Sequence, residues 1–154
     1  MKTPKYLLLL GFFYSFLLPS PLHGQVMSKK DSLVQRFNQV NQGRITLSTL
    51  EEINLLNDLA QTYKFRVPDS LNYFAQKALY LNSPVVSKKA KVLSNIYLGG
   101  YYSDRAEKEK ASLYFSFASE EIKTLNAPKI EILLLQEMLS ITSSITVLIN
   151  GINA

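Results

Sequence analysis

Two pairs of adjacent carboxylates, Glu51-Glu52 and Glu120-Glu121, are the residues of this 154-residue chain whose type and spacing first suggest acid/base chemistry. A pair of this kind works when burial raises the pKa of one member so that it can donate a proton. Their surroundings favour a plainer role. Glu51 and Glu52 open a helix, and Glu120 and Glu121 lie on the solvated side of one, with no nucleophile or partner base implied near either pair. Tyr97, Tyr101 and Tyr102 with Arg105 could stack against a peptide or a base, but tyrosines at helical spacing more often pack with a wet hydroxyl. The run "RAEKEK" from Arg105 reads as an exposed turn followed by helix-surface charges. No catalytic, cofactor-binding or metal-ligating residue is assigned, no cofactor is expected, and the chain is not expected to be an enzyme.

The ends explain part of that poverty. Lys2 and Lys5 precede an unbroken apolar block from Leu7 to Leu18, followed by "PSPLHGQ". A basic start, an apolar block of about 7–15 residues and a small residue at the cut describe a secretory signal peptide. The block falls short of the roughly 20 apolar residues that span a bilayer. Cleavage is expected after Gly24, leaving Gln25 as the first mature residue, although Leu22 is larger than the residue usual at that position. An uncleaved N-terminal anchor is the alternative; with no cysteine after the block, a lipid anchor is not expected. Lys2 and Lys5 leave with the signal, so the formal charge falls from +5 to +3, and His23 leaves too. The mature chain then lacks His, Cys and Trp. That removes Ser-His-Asp and Cys-His nucleophile systems, His or Cys zinc sites and disulfides, so apolar packing must hold the exported domain together. The modest charge and the address give no reason to expect nucleic acid as a partner.

The remaining chain reads as all-α. Residues 25–47 form a lead-in helix and linker, with Leu33, Val34 and Phe37 at loose helical spacing before Gly43. Ser48 and Glu51 stand in capping-box relation, as do Thr49 and Glu52. Ile53, Leu56, Ala60 and Tyr63 then form one stripe, and "KFRVPDS" ends it, with Pro68 as the stop and Asp69 as the cap of the next helix. Leu71, Phe74, Ala75, Ala78 and Leu79 give a second stripe, closed by "LNSP". Two amphipathic helices joined by so few residues pack as an αα-hairpin. A second hairpin follows, with Val92, Leu93, Ile96 and Tyr97 on its first helix, "SDRAEKEK" as the turn, and Ala111, Tyr114, Phe115, Ala118, Ile122 and Leu125 on its second. The two hairpins occupy residues 48–128, and an apolar helix, either an incomplete third repeat or a cap, occupies 129–154.

Ala78 and Ala118 lie 40 residues apart, and Leu59-Ala60 lies 39 before Leu98-Gly99. Helix pairs recurring at such an interval mark a solenoid of stacked units. Leu98, Gly99, Tyr102, Ala111, Phe115 and Ala118 resemble the tetratricopeptide repeat, in which a large and a small residue, a tyrosine, and then an alanine, an aromatic and an alanine follow at fixed spacing. In the first unit Leu59, Ala60, Tyr63 and Ala78 match, while Leu71 and Ala75 exchange large for small, which points to a turn shortened by one residue. In the second, Gly100 and Tyr101 are alternatives to Gly99 and Tyr102. The resemblance covers about Glu51 to Asn126 and implies a protein that holds a protein or peptide partner. Repeats of that family behind a signal peptide often form the extracytoplasmic front of bacterial sensor kinases and transcription regulators, so a truncated sensory module in periplasmic signal transduction is one expectation. A membrane-anchored structural protein and a periplasmic enzyme are the alternatives; the enzyme needs a buried carboxylate lining a pocket. In the last helix Ile130, Leu133, Leu134 and Met138 form one stripe, and Ile132, Leu135, Leu139 and Ile141 extend it round the circumference. Glu131, Gln136 and Glu137 argue against a stable membrane span, and self-association or partner binding is expected through Leu133 to Leu148.

Overall fold

The computed structural model describes residues 27–139, and every regular element among them is helical: α1 (Lys29–Asn41), α2 (Thr49–Tyr63), α3 (Pro68–Leu81), α4 (Lys88–Asp104), α5 (Lys108–Ile122) and α6, over residues 128–139. The expected signal peptide and cleavage site and the tail from 140 lie outside the described residues. No described helix is long and apolar enough to cross a membrane.

Helix starts follow local chemistry. Ser48 accepts a hydrogen bond from the Glu51 backbone N–H while the Glu51 carboxylate accepts from the Ser48 N–H at 2.9 Å, so the capping box belongs to Ser48 rather than to Thr49. The expected start of α3 needs correction. Pro68 is its first helical residue, Val67 is the N-cap without a side-chain bond, and Asp69 sits inside the first turn. A proline is accommodated there because its missing N–H has no intrahelical partner in any case. The second turn is also shorter than expected: α4 runs to Asp104 and α5 starts at Lys108, so only Arg105 to Glu107 connect them. Between the matched tyrosines and the next helix, the first unit has Lys64 to Val67 and the second has Ser103 to Glu107, one residue more. The shortening inferred from the exchange of Leu71 and Ala75 is present.

α2 pairs with α3, α4 with α5, and α4 also packs on α3 and α2. Ile53, Leu56, Leu59 and Ala60 of α2 meet Leu71, Phe74, Ala75 and Ala78 of α3, and Ala90, Tyr97, Leu98 and Tyr101 of α4 close over them. Val92 and Ile96 of α4 join Ala111, Phe115, Ala118 and Ile122 of α5, and Ile130 and Leu134 of α6 close over that second cluster. Each fully buried Leu or Ile contributes about 1.5–3 kcal/mol relative to exposure. The two glycines of "YLGGYY" serve different neighbours. A Cβ on Gly99 would lie 2.6 to 2.9 Å from the Phe115 ring, and one on Gly100 would lie 3.0 Å from Glu137 Oε2. Gly99 is therefore the residue that lets α4 and α5 approach, which decides the register of the second unit.

Buried polar groups tie the two hairpins together. Asn57 on α2 donates to the Ala90 carbonyl at 3.1 Å and accepts from the Ser94 hydroxyl at 2.9 Å. Asn82 holds the connection between α3 and α4, accepting from the Val86 and Ser87 N–H groups and donating to the Ser87 carbonyl.

Candidate functional site

The carboxylate pairs singled out in the sequence do not converge on a site. Glu51 is committed to its cap, where the Ser48 hydroxyl and then the Ser48 N–H hold its pKa below the usual carboxylate value. Glu52 pairs with Lys77 at 3.3 Å. Glu121 is half-buried and bridged by Lys91 at 2.5 Å, while Glu120 is exposed beside it. Both line a surface depression of about 350 Å³ with Lys88, Lys91, Phe117 and Thr124.

The aromatic residues also take structural positions. Tyr97 is 4% exposed and Tyr101 9%, and Tyr102 stacks on Tyr114 with ring centroids 5.4 Å apart. Burial, with the Asp58 and Glu137 charges as smaller causes, pushes the Tyr97 phenol above its ordinary pKa. Arg105 lies over the Tyr101 ring at 5.4 Å, and Glu107 draws both Arg105 and Lys110 to itself in the turn. The "RAEKEK" segment is thus an exposed, internally paired connection.

What the structure brings together instead is a buried ion pair. Glu137 is the one buried carboxylate among the described residues, 8% exposed, and it accepts a hydrogen bond from Lys64 Nζ, 73 residues earlier in the chain. Lys64 caps the end of α2 and Glu137 lies on α6, so the pair crosses α4 where Gly100 leaves space for the carboxylate. Helix axes in contact are about 8–10 Å apart, so this bridge between α2 and α6 draws their ends to one side of α4. Met138, expected on the buried stripe, is 40% exposed, and Glu137 points inward in its place. The signal was in the sequence: Ile130, Leu133, Leu134 and position 137 share one helical stripe, and its fourth member is a glutamate.

Beside Lys64, Phe65 is 82% exposed and has a left-handed backbone with φ 65°. The Lys64 ammonium sits 4.5 Å from its ring centroid. Helices often end on a left-handed residue, usually glycine, and a bulky side chain there is an outlier. Ala106 holds the corresponding conformation in the second turn, with φ 59°.

Comparison of the chain with models of protein families, with curated proteins and with solved structures gives no match in any of the three. The functional reading therefore rests on the residues and geometry of this chain. Among the described residues no group of three or more His, Asp or Glu is placed to hold a metal ion. No buried side-chain nitrogen or oxygen there lacks a hydrogen-bond partner.

Proposed function

We propose that this chain is an exported, non-enzymatic helical-repeat protein of tetratricopeptide type that holds a protein or peptide partner, as the sensory part of a bacterial signalling system would. The observation that carries the reading is the recurrence of packed helix pairs at intervals of 39 and 40 residues, with buried positions in matching register. Units of that kind expose extended surfaces suited to binding. The polar interior supports binding over catalysis, because among the described residues the buried polar side chains have hydrogen-bond partners and the one buried carboxylate is paired with Lys64.

Phe65 is the residue through which the reading is tested. Its backbone conformation costs about 1–3 kcal/mol, and with 82% of its surface exposed the ring recovers little by burial within this chain. Phe65→Gly should raise the melting temperature while lowering recovery of the partner crosslinked from a photoreactive side chain at the neighbouring exposed position 66 in the exported protein. A stabilised variant that retains its partner in full would remove Phe65 from the binding face, and absence of any adduct from the probe when Phe65 is kept would overturn the binding reading. The address is checked separately by intact mass. The exported form should begin near Gln25, and a membrane-bound product retaining Met1 would overturn export.

A further inference from the structure

The exposed side of α6 follows a register that the structure has already used twice. Ile132, Leu135, Met138 and Leu139 are 55, 53, 40 and 65% exposed. Forty residues earlier stand Val92, Asn95, Leu98 and Gly99, all buried, and thirty-nine before those stand Ile53, Leu56, Leu59 and Ala60, all with no exposure. The four on α2 belong to the cluster it shares with α3, and on α4 Val92 and Gly99 face α5 within the second hairpin, while Leu98 turns to the first. The buried side of α6 obeys the same interval: Ile130, Leu134 and Glu137 correspond to Ala90, Ser94 and Tyr97, which are buried on α4. α6 therefore sits on the second hairpin as α4 sits on the first, and its exposed stripe continues the α2·α3 and α4·α5 interfaces.

The opposite end of the molecule is finished differently. α1 lies 39 to 40 residues before α3, and where α3 buries Leu71, Ala75 and Ala78, α1 carries Asp31, Gln35 and Asn38, all exposed. A terminal unit with a polar outer face needs no further neighbour. A copy stacking front to back would press Asp31, Gln35 and Asn38 onto the apolar stripe and desolvate them without partners. The stripe instead suits an amphipathic helix. Its composition follows from the hairpins, where the residue facing Gly99 is Phe115, and the residues at the equivalent positions of the first hairpin are Ala60 and Ala75. The larger the residue on the first helix, the smaller its counterpart on the second. At that position α6 has Leu139.

We propose that the Ile132, Leu135, Met138 and Leu139 face of α6 docks an amphipathic helix in the position α5 takes on α4, with glycine or alanine where α5 carries Phe115. The inference concerns a different surface from Phe65 and stands or falls independently of it. The probe is a peptide of residues 108–123, held helical by a hydrocarbon crosslink between positions 112 and 116, which are exposed on α5, in its natural form and with Phe115→Ala. Added to the full exported chain and followed by fluorescence anisotropy, the Phe115→Ala peptide should bind at least about tenfold more tightly than the natural one, a difference of about 1.4 kcal/mol. Leu139→Gly in the protein should reverse that preference. Leu135→Glu should abolish binding of both peptides with no change in melting temperature, since Leu135 is 53% exposed. Equal binding of the two peptides, binding that survives Leu135→Glu, or no binding of either would overturn the proposal. So would light scattering that shows a dimer dissociated by Leu135→Glu, which would make a second copy the occupant.

Discussion

In the first hairpin Leu71 and Ala75 hold the positions that Ala111 and Phe115 hold in the second, and Ala60 stands where the second has Gly99. All six are buried. The backbone repeats while the volumes trade places, between adjacent turns of one helix and across to its partner. A packed interior tolerates such exchange when total volume is kept and resists it when one member changes alone. Degenerate repeat signatures can therefore describe well-packed structures: the positions recur, and the residue at any one of them depends on its neighbours.

The largest expected effect comes from removing one side of this exchange. Phe115→Ala should cost about 3–5 kcal/mol in urea unfolding, because the ring fills the space left by Gly99. The triple variant Gly99→Ala, Ala111→Leu, Phe115→Ala copies Ala60, Leu71 and Ala75 and should recover most of that loss. A triple variant no more stable than Phe115→Ala would show that the two hairpins are not interchangeable.

The ion pair breaks the likeness between the hairpins, since Gln61 stands in the first where Gly100 makes room in the second. Glu137→Gln leaves the Lys64 ammonium buried without its counter-charge and should cost up to about 3–5 kcal/mol. Replacing both partners, Lys64→Met with Glu137→Leu, should restore stability to within about 1 kcal/mol of the parent. Amide hydrogen exchange should show the loss in the single variant concentrated in α6. A loss spread evenly over α2 to α5 would mean that the pair does not fasten α6.

Ala78 and Ala118, both fully buried, are the positions where the hairpins agree most closely. Ala118→Leu and Ala78→Leu should each cost about 1–3 kcal/mol by overpacking, whereas Ser112→Ala and Lys123→Ala, at exposed positions, should leave thermal melts unchanged. A silent Ala118→Leu would break the register on which the comparison depends.

The smallest difference lies in the caps. Ser48→Ala and Ser87→Ala should each cost about 1 kcal/mol, but only the first cap contains a carboxylate. The folded-state pKa of Glu51 is depressed by Ser48, so its contribution is present above the unfolded carboxylate value and is lost as pH falls through the folded one. The Ser48→Ala penalty should shrink across that acid range while the Ser87→Ala penalty stays constant, as unfolding midpoints measured against pH will show.

What was legible in the sequence was local or periodic. Ser48 with Glu51, the stripes of α2 to α5 and the recurrence of the two hairpins follow from spacings of three, four and forty residues, whereas the seat of Phe115 against Gly99 came from the structure. The start of α3 was placed two residues late, at Asp69 instead of Val67, because a proline that stops one helix also suits the first position of the next. The Lys64–Glu137 pair escaped because, although the stripe of Ile130, Leu133 and Leu134 places Glu137 on the buried side, its partner lies 73 residues away. The place of α1 escaped because its polar residues conceal the interval that relates it to α3.

The bond network of Asn57, Ala90 and Ser94 bears on how the molecule comes apart. If the second hairpin opened by itself, the Asn57 amide would lose its partners on α4 at a position only 3% exposed in the closed state. An intermediate with one hairpin folded is penalised by that orphaned amide as well as by the apolar surface left bare. Neighbouring units coupled in this way melt as one, so a chain of small recurring pieces acquires the sharp, all-or-none transition of a single domain.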